Sequence, residues 1–268
     1  MMRMEELIRG RRSVRTFDGT PLREEDASRI LDFAEKVENP FELPIGWKLL
    51  DRKIDSLSVP VVTGTDTYIA GKMRRSARAE EAFGYAFEKV ILFAQSLGVG
   101  TTWIAGTMDR KAFERAMGVS GDEVMPCVSP LGYPAGKMSL RETMMRRGIR
   151  ADTRLDFEKL FFDGSFEAPL PAEKAGKLRL PLEMVRLGPS AVNAQPWRVL
   201  VRGDCAHFYE KKSRGGGDWD IQKIDMGIAL CHFELGAIES GLHPVMEVAD
   251  PGIPGQDGLI YIASFRIE

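Results

Sequence analysis

Arg11-Arg12-Ser13-Val14-Arg15-Thr16-Phe17 places three guanidinium groups and a hydroxyl within five residues. Arginine presents a planar fork of N–H donors that grips an oxyanion bidentately, so the string can converge on a phosphate. By residue type alone it is equally a solvated basic turn. Ser129-Pro130-Leu131-Gly132-Tyr133-Pro134 joins a glycine, which permits close backbone approach, to prolines that stiffen the chain. That suits a backbone donor aimed at a ligand, and it also suits a plain turn. Arg146, Arg147, Arg150 and Arg154 follow, the first three reading as a solvated helix face. The fourth string is Gly188-Pro189-Ser190-Ala191-Val192-Asn193-Ala194-Gln195-Pro196-Trp197-Arg198. Its small residues and two amides suit hydrogen bonding to the edge of a flat heterocycle.

Other chemistries find no support. Gly98-Val99-Gly100-Thr101-Thr102-Trp103 starts like a dinucleotide fingerprint, but the third glycine is missing and a helix precedes it. There is no Walker A string. His207, His232 and His243 share no metal-ligand spacing with cysteines or carboxylates, so no metal site is expected. Tyr68, Trp103 and Tyr133 read as core or pocket wall.

These strings need elements to position them. A short helix is expected over Met4–Ile8, ahead of the arginines, with a turn at Asp18-Gly19 after them. Ala27, Ile30, Leu31, Ala34 and Val37 fall on one helical face between Glu24 and Val37. Phe83 to Leu97 is apolar around much of its circumference and is ended by Gly98, the pattern of a buried helix. Strands are expected at Trp47–Leu50, Val59–Thr63, Trp197–Val201 and Leu259–Phe265. Phe162-Asp163-Gly164-Ser165, continuing to Pro169-Leu170-Pro171, reads as a linker, and Gly215-Gly216-Gly217 as a flexible loop.

The chain has 268 residues, enough for one large domain or two small ones with a real core. Its 37 basic and 39 acidic residues give a net charge of -2, no field for nucleic acid or an anionic membrane. No apolar run approaches the ~20 residues that span a bilayer. The start, Met1-Met2-Arg3-Met4-Glu5-Glu6, lacks the apolar segment of a signal peptide. Cys127, Cys205 and Cys231 are odd in number and widely spaced, as in a protein of reduced thiols, so a cytoplasmic location is expected.

The sequence also repeats itself. Phe83-Gly84-Tyr85-Ala86 through Gly98-Val99 aligns with Met226-Gly227-Ile228-Ala229 through Gly241-Leu242, with both glycines displaced by 143. Trp47-Lys48-Leu49-Leu50 aligns with Trp197-Arg198-Val199-Leu200 at a displacement of 150. Two elements in one order at similar displacements point to internal duplication.

Both terminal strings resemble those of the nitroreductase family. RRSVRTF is similar to its N-terminal motif, SPLGYP to its GYP segment and PSAVNAQPW to its flavin-edge segment. The resemblance implies an α+β fold whose residues bind FMN. It places Arg11 and Ser13 on the phosphate and ribityl chain, Arg12 at the polar edge, and Arg15 near N1 and O2. It places the backbone of Leu131 and Gly132 near N5, Arg154 against the phosphate with Arg150 as a second basic candidate, and Pro189, Ser190, Ala191 and Asn193 at the ring edge.

The strings are unevenly distributed. In ordinary members the last string lies near the N-terminus, and each site at the dimer interface draws on both subunits. Here residues 1–165 hold the first set and residues 166–268, a shorter half, hold the second. Where the first half should repeat the flavin-edge string it has Asn39-Pro40-Phe41-Glu42-Leu43-Pro44-Ile45-Gly46-Trp47, with Leu43 and Ile45 in place of the amides. The resemblance is therefore to fused, pseudo-dimeric members: two tandem halves, each a mostly antiparallel sheet packed with helices, a monomer with one FMN per chain. It implies ping-pong hydride transfer through flavin N5 from transient NAD(P)H to a small flat acceptor such as a nitroaromatic or quinone. A non-catalytic flavin-binding protein, flavin fragmentation and dehalogenation are the other readings this fold allows.

Overall fold

The computed structural model describes residues 3–213, 219–253 and 258–268, so the expected Gly215-Gly216-Gly217 loop lies outside the described residues. The chain separates into two compact units: a continuous one, residues 10–151, and a discontinuous one, residues 1–9 with 152–268. Helix α1 (Met4–Gly10) opens the chain. It is tied within the discontinuous unit, where the Met4 N–H donates to Glu239 at 3.0 Å and Arg9 faces Glu183 at 3.8 Å.

The continuous unit runs α2 (Glu24–Lys36), β1 (Gly46–Asp51), β2 (Thr67–Arg74), α3 (Ala79–Ser96), α4 (Arg110–Met117), β3 (Glu123–Val124), β4 (Val128–Leu131) and α5 (Leu140–Gly148). Strand β2 is central and antiparallel to its neighbours, with Trp47 of β1 opposite Gly71 and Ser129 of β4 opposite Ile69. Gly71 has a packing reason: a Cβ there would stand 2.6 Å from the Trp47 ring. Helix α3 is buried around most of its circumference, as its largely apolar surface requires. Phe83, Phe87, Val90 and Ile91 are fully buried on it, each worth about 1.5–3 kcal/mol of burial. The same helix carries Glu81 and Glu88 into that interior.

The discontinuous unit continues with α6 (Phe157–Leu160), β5 (Phe161–Asp163), α7 (Arg179–Leu187), β6 (Trp197–Arg202), β7 (Cys205–Lys211), α8 (Ile221–Glu239), β8 (Pro244–Glu247) and β9 (Leu259–Ile267). Its five-stranded sheet has the order β5-β6-β7-β9-β8, with β5 joined in parallel and the other pairs antiparallel. Helices α7 and α8 approach closely at Gly236, where a Cβ would meet Met184 and the Pro181 backbone at 2.9 Å. Both units are mixed helix and sheet, an α+β architecture. No helix among the described residues is long and apolar enough to cross a membrane.

Two expectations are corrected. The compact units divide at 151/152, and the segment expected to be a linker is structured. Phe161–Asp163 is a strand, Phe162 bridges Pro169, and Phe166 and Leu170 are buried. Gly164, at φ 70°, makes a tight return rather than a break: the Gly164 N–H donates to the Val201 carbonyl at 2.8 Å. Val59–Thr63 is not a strand. Pro60 has no N–H to give a ladder, the Val62 N–H closes a turn onto Val59, and only Thr63 bridges, to Thr16. The apolar character of the run serves the core around Val59 instead.

Candidate functional site

In the continuous unit the arginine string is an extended segment laid between two partners. The Val14 N–H donates to the Thr101 carbonyl at 2.8 Å and the Phe17 N–H to the Thr63 carbonyl at 2.9 Å. Helix α5 docks beside it through Ser139, whose hydroxyl caps the helix by accepting the Glu142 N–H at 3.1 Å. In a full capping box the glutamate returns to the N–H of the capping residue. Here Glu142 turns to the string, accepting the Arg15 N–H at 3.3 Å and facing Arg12 at 3.7 Å, while the Ser139 N–H goes to the Thr16 hydroxyl at 3.1 Å.

This docking gathers like charges. The Arg11 side chain is 5% exposed, with its Nε 3.9 Å from the fully enclosed Glu88, and its Nη1 is buried with no hydrogen-bond partner among the described residues. Burial holds the Arg11 guanidinium below its ordinary pKa; Glu88 works against this and Arg146 adds to it. Arg15 is lowered likewise by burial, with Glu142 opposing and both Arg146 and Arg11 adding. Arg146 of α5 donates to the Ser13 carbonyl at 3.5 Å. A buried guanidinium N–H without an acceptor costs free energy, and two more cations stand nearby, so this donor set fits a phosphate. Arg12 is half-exposed and adjoins a cleft of about 190 Å³ lined also by Gly10, Val14, Gly100 and Pro134.

The GYP segment is held from behind. Thr65 donates to the Leu131 carbonyl at 2.5 Å and the Gly100 N–H to the Gly132 carbonyl at 2.7 Å. A Cβ on Gly132 would lie 2.8 Å from the Phe17 ring and 3.1 Å from Thr65, so close packing excludes a side chain there. The Tyr133 hydroxyl donates to buried Asp26 at 2.6 Å, and Arg23 donates to both. Arg150 is exposed, at φ 49° in the turn after α5, and Arg147 is exposed on the helix. Arg146, expected on the same solvated face, is half-buried against the arginine string instead.

In the discontinuous unit the string from Gly188 to Arg198 forms a contorted loop between α7 and β6. Val192, Asn193 and Gln195 have φ of 48°, 58° and 49°, in the left-handed region. For an exposed β-branched valine this costs roughly 1–2 kcal/mol. The loop is cross-tied. The Gln195 N–H donates to the Ser190 hydroxyl at 2.9 Å, the Gln195 side-chain oxygen accepts the Leu155 N–H at 2.8 Å, and Ala191 donates to Asp225 at 3.0 Å. Asn193 donates to the Thr153 carbonyl at 3.0 Å and accepts from Arg154 at 3.4 Å. Arg154 and the flavin-edge residues, distant in sequence, are thus brought together. In the continuous unit the altered copy is organised by one residue: Asn39 accepts the Phe41 and Leu43 N–H groups and donates to the Leu43 carbonyl at 2.7 Å.

Sequence reasoning passed over Glu88, Glu142 and Asp225, and it read Arg146 as a solvated residue. Ser139-x-x-Glu142 was a readable capping signal, and Arg146 lies four residues on, facing the same way. Glu88 and Asp225 were visible as carboxylates inside otherwise apolar helical runs.

A family model described as "Putative TM nitroreductase" matches residues 3–237. Among solved structures, a crystal structure described as a "putative nitroreductase" from Thermotoga maritima is 22% identical, covers 99% of this chain and 93% of that one, and has a TM-score of 0.65. A nitroreductase family protein from Clostridium novyi, 19% identical, covers 50% of this chain and 87% of its own at a TM-score of 0.43. An FMN-dependent nitroreductase from Clostridium difficile, 17% identical, covers 50% and 88% at 0.43. No curated protein matches the chain. With residues 3–237 matched by that family model, the chain belongs to the nitroreductase family.

Proposed function

We propose that this chain is an FMN-dependent NAD(P)H oxidoreductase that reduces a flat acceptor such as a nitroaromatic or a quinone in two alternating half-reactions. The observation that carries the reading is Arg11: a buried guanidinium with a vacant donor, flanked by Arg15 and Arg146. The chemistry FMN supplies when bound is hydride exchange at its N5. The protein's part is to bind and orient the ring and set its charge environment.

Arg11, Ser13 and Arg146 would hold the phosphate and ribityl end, with Arg12 at the polar edge. Arg15 would face the edge that gains negative charge, and its partial burial strengthens that interaction over one in water. Leu131 and Gly132 would present backbone, while Pro189, Ser190, Ala191 and Asn193 would meet the ring edge, with Arg154 and Arg150 as further basic contacts. One FMN per chain follows from Leu43 and Ile45 standing where the flavin-edge copy needs amides. Each unit has the order helix, strand, antiparallel strand, long buried helix, returning strand, which supports internal duplication and a monomer.

Anaerobic titration of the FMN-loaded protein with NADH and with NADPH tests the reading. Loss of the oxidised flavin absorbance, recovered on adding a quinone, is the expected result. FMN that does not bind, or binds and is not bleached by either nucleotide, would overturn it.

A further inference from the structure

Asp225 is the fifth residue of α8 and is 2% exposed, between Ile224 and Met226, which are also buried. Nothing in the proposed hydride chemistry uses it, and an acid kept in such a place is costly unless it is bonded. Both of its carboxyl oxygens accept one donor, the Ala191 N–H, at 3.0 and 3.2 Å. That N–H opens the tight turn over Ala191–Asn193, where the Asn193 N–H reaches the Ser190 carbonyl and the Ala191 N–H has no partner within the turn. Ser190 precedes it and is the usual type of cap, but its hydroxyl accepts the Gln195 N–H and caps nothing. The cap comes instead from Asp225, 34 residues further along the chain.

We propose that Asp225 is the positioning residue of the 190–195 loop: its carboxyl anchors Ala191 and so holds Val192, Asn193 and Gln195 in their left-handed backbone. Val192 is 48% exposed and gains little packing to offset its conformation, so the anchor must come from the bonded ends of the loop. The consequence for FMN rests on the proposed function; the anchoring itself does not.

The anchor is sensitive to ionisation. Burial pushes the Asp225 carboxyl well above its ordinary pKa; the Ala191 N–H opposes this, while Asp220 at the start of α8 and Glu210 of β7 add to it. The loop brings no charged side chain into that balance. The folded state therefore keeps a proton that the unfolded chain has released above about pH 3.9. Stability contributed here is full below that value and is lost as pH rises through the raised folded pKa. Asparagine at this position keeps an oxygen for Ala191 and cannot ionise.

Hydrogen exchange of the full-length protein, followed by mass spectrometry over 188–196 and corrected for intrinsic rates, tests the proposal across pH 5 to 8. Asp225→Ala should speed loop exchange about tenfold, the cost of one lost hydrogen bond, and leave α3 unchanged. Asp225→Asn, which keeps an acceptor for the Ala191 N–H, should exchange at a rate far nearer the wild type than Asp225→Ala does. Loop exchange in Asp225→Ala equal to wild type overturns the anchor. Should Asp225→Ala fail to fold, Asp225→Leu, of similar size and without an acceptor, takes its place, and loop exchange in it equal to wild type overturns the anchor. FMN retention is read in parallel, with loss in Asp225→Ala and rescue in Asp225→Asn expected. A wild type that binds no FMN yet shows the exchange pattern refutes the flavin reading and leaves the anchor standing.

Discussion

Arg11 and Glu88 face each other at 3.9 Å with both side chains withdrawn from solvent, and Glu88 also accepts the Trp103 indole N–H at 2.9 Å. A buried pair adds little net stability, but removing one partner strands the other charge. Glu88→Gln keeps an acceptor for Trp103 and strands Arg11. The expected loss is about 3–5 kcal/mol in urea unfolding, partly recovered by added phosphate. A loss below about 1 kcal/mol would mean that the two charges are effectively solvated.

Arg11→Ala should purify with less FMN than the wild type, read as flavin absorbance per protein. Leu43→Ala, in the altered copy, should retain it. Equal loss from both variants, with circular dichroism showing both folded, is incompatible with a single flavin site.

Val192→Gly should stabilise the chain. Glycine removes a left-handed cost of roughly 1–2 kcal/mol and returns part of it as entropy of the unfolded chain, for a net gain of about 0.5–1 kcal/mol. The side chain is half-exposed, so little packing is lost. A denaturation midpoint below that of the wild type would refute the assigned strain.

Tyr133→Phe removes a hydroxyl that ties the GYP segment to α2. Burial alone would raise the Asp26 carboxyl, but the bonds from Tyr133 and Arg23 outweigh it and hold the group below its ordinary pKa. Its contribution is present above the unfolded value near pH 3.9 and is lost as pH falls through the lower folded value. The variant should lose about 1.5 kcal/mol at neutral pH and show a shallower fall in stability through the acid range. A parallel pH curve would rule out the Tyr133–Asp26 coupling.

Much of this architecture was legible in the chain. The apolar periodicities at Glu24 and Phe83 gave α2 and α3, because helices that bury a face or a whole circumference must write it into their spacing. The tryptophan-led strands at Trp47 and Trp197 were equally plain. What misled was local composition that tertiary pairing overrides. Gly164 and Pro169 read as a break, yet the phenylalanines around them had a sheet edge to join. Val59–Thr63 has strand composition, yet Pro60 turns it. At the candidate site, sequence singled out the arginine string and the 188–198 segment, and the structure describes how each is held. Arg146 was misplaced because helix α5 is mostly exposed, and only the turn of Glu142 toward Arg15 brings that one face inward. Asp225 was unreadable as an anchor, since its partner is a backbone N–H that no side-chain pattern announces.

The division of the chain at Arg9 and again at Asp152 sets an order for synthesis. Helix α1 is made ahead of the continuous unit, but the Glu239 that receives its Met4 N–H is 235 residues further on. Residues 10–151 have all their own strands and helices to hand and can collapse while translation continues. Helix α1 must wait until α7 and α8 have emerged. Closing that long loop is the late, entropically costly step. Anything that hinders the docking of α1 on α7 and α8 should therefore slow the completion of one unit and leave the other untouched.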